Sequence, residues 1–259
     1  MDEGNSKMAL IPSILIVAGT DPTGGAGIVR DIETAAYFQT KANLAITCVN
    51  VQDDNHVAKI VPMSGEFVGA QMRVALKANP ISAIKIGMTG TQEIIVEICN
   101  VLEDYSHIPV VFDPVLIASS GGKLTTEKTT EIMLNKLLPY IELLTPNMEE
   151  LALLSQSPLA SNCEEAIQQA KKLLSFGPRY ILIKGGHADG AFATDILIDK
   201  TQAINISAPR LKGEMRGTGC ILSSAITAHL VFNKSITTAV KKSKEYLYTL
   251  LLKHSQTEH

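Results

Sequence analysis

The sequence lacks several patterns that would settle its class at once. No apolar run approaches the roughly 18 residues needed to cross a bilayer, and the run at 14–18 suits only a core strand. The first eight residues are polar and acidic, whereas a secretory leader needs basic residues followed by a longer apolar stretch. The chain is therefore expected to stay in the cytoplasm, away from membranes, with residues 1–10 flexible. Basic excess is missing too: net charge is −3 and the pI about 6.1, which argues against a nucleic-acid partner. Lys241, Lys242, Lys244 and Lys253 read as the solvated face of a last helix. The four cysteines form no CxxC pair and no metal-ligand spacing, and a disulfide framework is not expected. Cys48, Cys99 and Cys163 read as small buried hydrophobes. There is no GxxxxGK[ST] loop, no GxGxxG, no linker, no low-complexity tract and no internal repeat. One domain spanning 1–259 is the expectation.

What is present is a globular balance, 46% hydrophobic and 19% charged. Short apolar runs alternate with helical periodicities. Strands are predicted at 13–18, 42–51, 56–61, 83–88, 110–115, 142–145 and 180–184, with a hairpin at 194–208. Helices are predicted at 26–39, 66–77, 91–105, 127–138, 164–175, 219–231 and 236–253. Such alternation implies an α/β fold, a mostly parallel sheet with helices on both faces. Ligands then sit beyond the carboxyl ends of the strands. Gly19, Gln52, Met88, Asp113, Asn147 and Lys184 are each expected there, one from each of six strands.

Four segments carry residues suited to chemistry. Arg216-Gly217-Thr218-Gly219-Cys220 opens an apolar helix, and a glycine-rich helix N-terminus can stabilise an anion or a transferring phosphoryl group. Cys220 would stand in the first turn, where a thiol pKa can fall. The same segment reads equally as an ordinary helix start with a buried cysteine. The segment 20–27, TDPTGGAG, lets backbone approach a flat ligand, and Asp31 in the following helix could face that ligand or plain solvent. Asp113 ends an apolar strand, where a carboxylate needs a partner such as Mg²⁺ or serves only as a strand cap. Asn147 and Glu150, three apart, suit helix capping as well as a site. Lys184 before Gly185-Gly186-His187 could neutralise nucleotide phosphates, and His187 reads as structural.

Together these stretches resemble the hydroxymethylpyrimidine and phosphomethylpyrimidine kinases, within the ribokinase-like superfamily. The matching segments are AGTDPTGGAGIVRDIET (18–34), AITCVNVQ (45–52), IKIGMTG (84–90), DPVLIASSG (113–121), LLTPNMEEL (143–151), ILIKGGH (181–187) and RGTGCILSSAI (216–226). The resemblance implies a three-layer α/β/α sandwich and phosphorylation of 4-amino-5-hydroxymethyl-2-methylpyrimidine, and of its monophosphate, by ATP with Mg²⁺, for thiamine diphosphate synthesis. It implies that Asp31 and Gln52 hydrogen-bond the pyrimidine while Gly19, Ala26, Met88 and Val115 line its pocket. Gly217, Thr218 and Gly219 would form the anion hole, with Cys220 near the hydroxymethyl oxygen as base or positioning group. Asp113 and Glu150 would serve the Mg²⁺, Asn147 and Lys184 the ATP phosphates together with Thr218 and Gly219, and 118–123 a lid. A homodimer is implied as well. Three departures stand out: Asp53-Asp54 in place of Asn-Thr, Arg216 in place of a frequent His, and no glycine-rich tail after the last helix. The rival readings are a pyridoxal kinase, whose lid in one subgroup carries a second Cys absent from 118–123, and a non-catalytic binding protein.

Overall fold

A computed structural model describes residues 11–53, 56–117, 122, 124–185, 190–211 and 215–257. The first strand, β1 (Ser13–Ala18), is buried at every position, as expected for a central strand covered on both faces. Its side chains alternate between two cores. Leu15 and Val17 point into one with Val68, Met72, Ile94 and Ile98. Ile14, Ile16 and Ala18 point into the other with Ile28 and Ala35. The helices supplying the first layer are α2 (Gly65–Ala78), α3 (Gln92–Asp104), α4 (Glu127–Ile132), α5 (Met148–Ser155) and α6 (Cys163–Leu174). The opposite layer is α1 (Gly27–Tyr37), α7 (Thr218–Val231) and α8 (Ile236–Thr257).

Between them lies one eight-stranded sheet. Its strands are β1, β2 (Lys41–Ile46), β5 (Ile81–Ile86), β6 (Val110–Phe112), β7 (Leu143–Leu144), β8 (Tyr180–Ile183), β9 (Phe192–Ile198) and β10 (Ala203–Pro209). The order is β10-β9-β8-β7-β6-β5-β1-β2. Pairing is parallel from β2 through β8 and antiparallel for β9 and β10. This is the three-layer α/β/α arrangement with a mostly parallel sheet.

Two predicted elements are corrected. The expected strand at 42–51 is two strands, because the chain leaves the sheet at Thr47, whose hydroxyl donates to the Met88 carbonyl at 2.6 Å. The second piece, β3 (Cys48–Gln52), pairs with β4 (Val57–Pro62) in a separate two-stranded sheet. Gln52 therefore reaches the site from this small sheet, and the other five expected residues come from the large one. The helix expected at 127–138 is α4 followed by a π-helical turn at Met133–Leu137 and a 3₁₀ turn at Leu138–Tyr140. Residue 139 is a proline with no N–H to continue an α-helical ladder.

Candidate active site

A cavity of about 880 Å³ runs along the carboxyl edge of the parallel strands. Gly19, Ala26, Gln52, Met88, Val115, Asp113, Asn147, Glu150, Lys184 and Gly217 through Cys220 all line it. Two glycines are demanded by the backbone there. Gly27 has φ +59° and an added Cβ would lie 2.6 Å from the Gly19 carbonyl oxygen. Gly217 caps α7 with φ +73°, and its Cβ would lie 2.5 Å from the Gly25 carbonyl oxygen. Both have left-handed φ values and no room for a side chain, so glycine is the residue that fits. The two glycine-rich segments thereby pack backbone to backbone. Arg216 joins them further, donating to Asp21 Oδ2 at 3.1 Å and to Thr23 Oγ1 at 3.1 Å.

One end of the cavity is a network of charges. Lys184 Nζ lies 2.7 Å from Asp113 Oδ1 and 3.6 Å from Glu150 Oε2. Thr145 donates to Asp113 Oδ1 at 3.2 Å. Burial opposes charge on all three ionisable groups, but Asp113 and Glu150 outweigh it at Lys184, which is held above the usual lysine range. At Asp113 burial is likewise outweighed, here by Lys184 and Lys85, so the carboxyl stays below its ordinary value. At Glu150 burial dominates and pushes the carboxyl up. Asn147 and Glu150 form a reciprocal capping box on α5, each backbone N–H bonded to the other's side chain at 2.8 Å. The cap reading holds, and both capping residues also line the cavity. An added Cβ on Gly219 would stand 3.3 Å from Lys184 Nζ and 3.4 Å from Asp113 Oδ2. The start of α7 is thus pressed against the charge network.

Cys220 does not have the lowered pKa expected from a helix N-terminus. Burial pushes the thiol up to about 11, with the Lys85 charge and the Gly27 amide only partly offsetting it. At neutral pH it is a neutral thiol.

Asp31 is the clearest correction. It neither faces the ligand cavity nor solvent but is fully buried beneath the floor. Its oxygens accept from Lys85 Nζ at 2.9 and 2.8 Å, and Oδ1 also accepts from Ser224 Oγ at 2.7 Å. Position 31 lies on the inner stripe of α1 with Ile28, Thr34 and Ala35, and a buried carboxylate there needs a cation. Lys85 supplies it from near the carboxyl end of β5 and itself reaches the cavity. Burial disfavours the Lys85 ammonium, yet Asp31 outweighs that and keeps it protonated. A lone lysine inside the apolar run ISAIKI was the available signal.

At the other end of the charged region Lys244 pairs with Asp195 at 2.6 Å, and Gly185 N donates to Asp195 Oδ1 at 3.0 Å. Lys241, Lys242 and Lys253 are exposed as predicted, but Lys244 is buried and lines the cavity. The helical spacing of Ser243 and Lys244 with buried Ala239 and Val240 was the signal. Among the other cysteines, Cys48 and Cys99 are buried, while Cys163 is exposed at the start of α6, contrary to expectation. Asn50 also lines the cavity and was not foreseen. Asp54, His187 and residues 118–121 and 123 of the expected lid lie outside the described residues, as do residues 1–10. Among the described residues no helix is long and apolar enough to cross a membrane, and no group of three or more metal-ligating side chains occurs.

A family model described as phosphomethylpyrimidine kinase matches residues 21–259. The hydroxymethylpyrimidine/phosphomethylpyrimidine kinase of Aquifex aeolicus is 33% identical over 243 residues, covering 93% of this chain and 94% of that protein. Among solved structures, the phosphomethylpyrimidine kinase of Clostridium difficile superposes with a TM-score of 0.80 at 32% identity, covering 93% of this chain and 99% of that one. The ADP complex of Bacillus subtilis pyridoxal kinase gives a TM-score of 0.85 at 26% identity, with 91% and 90% covered.

Proposed function

The chain belongs to the phosphomethylpyrimidine kinase family, and we propose on that premise that it phosphorylates the hydroxymethyl group of 4-amino-5-hydroxymethyl-2-methylpyrimidine, and then the monophosphate, for thiamine diphosphate synthesis. ATP is the phosphoryl donor. The observation that carries this reading is the meeting of the α7 N-terminus with the Asp113–Lys184–Glu150 network on the wall of a cavity that Gly19, Ala26, Gln52, Met88 and Val115 also line.

In the proposed reaction the hydroxymethyl oxygen attacks the γ-phosphorus in line. The new O–P bond forms as the bond to the β,γ-bridging oxygen breaks, and ADP leaves with that electron pair. Backbone N–H groups of Gly217, Thr218 and Gly219 face the charge that grows on the equatorial oxygens. Lys184, beside Gly219, and Asn147 serve the phosphates. A loose transition state asks little of a base, which suits a Cys220 thiol that is neutral near pH 7. Cys220 then positions the hydroxyl, whose proton leaves to a phosphoryl oxygen or water. Asp113 and Glu150 are two buried carboxylates close together, a donor set that fits a Mg²⁺ retaining waters and phosphate oxygens. Bound there with ATP, the ion would supply further charge neutralisation. The pyrimidine would lie against Gly19, Ala26, Gln52, Met88 and Val115. We extend the reading to a single kinase domain and a homodimer, the latter supported by the exposed Val49, Val51 and Val61 on the outer face of β3–β4 and checked by analytical ultracentrifugation.

Coupled ADP release with the pyrimidine, its monophosphate and pyridoxal in parallel, repeated on Cys220→Ala, tests this. Turnover of the pyrimidines that collapses in the variant is the expected result. Turnover of pyridoxal alone would move the chain to the sister activity, and none at all would make it a binding protein.

A further inference from the structure

The inner face of β3 presents Cys48, Asn50 and Gln52 in alternation, with Val49 and Val51 turned outward. Asn50 is the odd member. It is 7% exposed, it lines the cavity, and its Oδ1 has no hydrogen-bond partner. Its Nδ2 has only the Met88 sulfur, at 3.9 Å. The fold does not need this amide. The strand is already held at this point by the Asn50 backbone N–H donating to Thr20 Oγ1 at 3.2 Å and by pairing with Ile60. Asparagine is disfavoured in strands, and a buried carbonyl left without a donor costs stability that an apolar residue would not. A side chain retained under those conditions, on the wall of a ligand cavity, is best explained by a partner that arrives with the ligand.

We propose that Asn50 is a specificity-determining residue that reads the ring edge of the substrate, its carboxamide pairing with an adjacent amine donor and ring-nitrogen acceptor. This rests on the kinase reading above and deepens it. A 4-aminopyrimidine carries such an edge in its amino group and N3, and a carboxamide matches it with two hydrogen bonds, as asparagine matches adenine. The terminal torsion of Asn is soft, so a turn about χ2 brings either end of the amide to the cavity. In pyridoxal the ring nitrogen and the phenolic oxygen are separated by a methyl-bearing carbon and cannot engage one carboxamide in this way. With Asp31 withdrawn beneath the floor, Asn50 takes over the recognition expected of it, beside Gln52.

The test compares the aminopyrimidine with its 4-deamino analogue, 5-hydroxymethyl-2-methylpyrimidine, by calorimetric binding and coupled ADP release. The parent protein is expected to prefer the amino compound, and Asn50→Val to reduce that preference roughly tenfold, the deamino analogue losing only the N3 contact and so weakening less than the amino compound. A preference unchanged in folded Asn50→Val overturns the proposal and leaves the kinase reading intact. A second measurement needs no variant. In ¹⁵N-labelled parent protein the Asn50 side-chain amide resonances should shift on titration with the amino compound, and less with the analogue, which keeps N3 but has no amino group to donate to Oδ1. Resonances unmoved by saturating amino compound overturn the proposal whatever becomes of Asn50→Val. Parent protein that binds neither pyrimidine and turns over pyridoxal overturns both the proposal and the kinase reading beneath it.

Discussion

The two ends of the cavity are built on opposite plans. At the charged end Lys184 is paired with Asp113 and Glu150, and two further buried lysines of the cavity wall are paired as well, Lys85 with Asp31 and Lys244 with Asp195. At the ring end Asn50 Oδ1 is buried without any partner. The difference follows from the energetics of burial. An unpaired ion in a protein interior is too costly to await a ligand, so the charged end must be complete before ATP arrives. An unpaired amide costs only a kcal/mol or so, and the fold can carry that until a ligand relieves it. Preorganisation belongs to the charged end, and selectivity, on the proposal above, to the amide end.

Breaking the charged end should have the largest effects. Lys184→Met leaves two buried carboxylates without their cation and removes the phosphate contact proposed for it. We expect kcat/KM to fall by about a thousandfold, read by coupled ADP release, with the nucleotide affinity reduced as well. Asp31→Asn should cost about 3–5 kcal/mol of stability by urea denaturation, because the Lys85 ammonium is left buried without its counter-charge. The double variant Asp31→Leu/Lys85→Met should recover most of that loss. Asn50→Val, by contrast, should leave the unfolding midpoint unchanged or raise it, and that contrast is the sharpest test of the two plans.

Cys220 lies between the two ends and sharpens the comparison through pH. With its thiol pushed up to about 11, kcat/KM should show no limb assignable to a Cys220 thiolate between pH 6 and 9. Iodoacetamide at pH 8 should modify the exposed Cys163 first and Cys220 more than about a hundredfold slower, as followed by peptide mass mapping. The folded value is above the unfolded one, so the protonated thiol contributes stability in full below about pH 8.5 and loses it as pH climbs toward 11.

The smallest expected effect is at the seam between the glycine-rich segments. Arg216→His shortens the reach to Asp21 and Thr23. Partly exposed contacts of this kind are worth about 1 kcal/mol or less, so KM should rise a few-fold with kcat nearly unchanged.

The parallel sheet, the edge that carries the site and most residues on that edge were legible in the sequence. Strand runs such as SILIVA and ISAIKI are continuous and apolar, and glycines or carboxylates at their ends mark where the backbone turns toward a ligand. The helix start at 217–220 was legible for the same reason, since its glycines are a local requirement. What escaped depended on facing. Asp31 was placed in the pocket because nothing near it in sequence shows that Lys85 lies 54 positions along and Ser224 193 positions along. Lys244 of α8 was grouped with exposed lysines because its partner, Asp195, comes from the distant strand β9. The break at Thr47 was invisible because the β-branched run continues through it, and the contacts that mark it, to Ala18, Met63 and Met88, come from distant segments.

The sequence by itself determined the alternation of strands and helices, the glycine-rich turns and the end of the sheet where chemistry collects. Each of these follows from local periodicity and backbone freedom. Only the tertiary structure decided which charges neutralise one another, that the Cys220 thiol is held neutral, and that Asn50 stands on the cavity wall without a partner. Those outcomes depend on burial and on contacts between distant segments, and both arise only once the layers have packed.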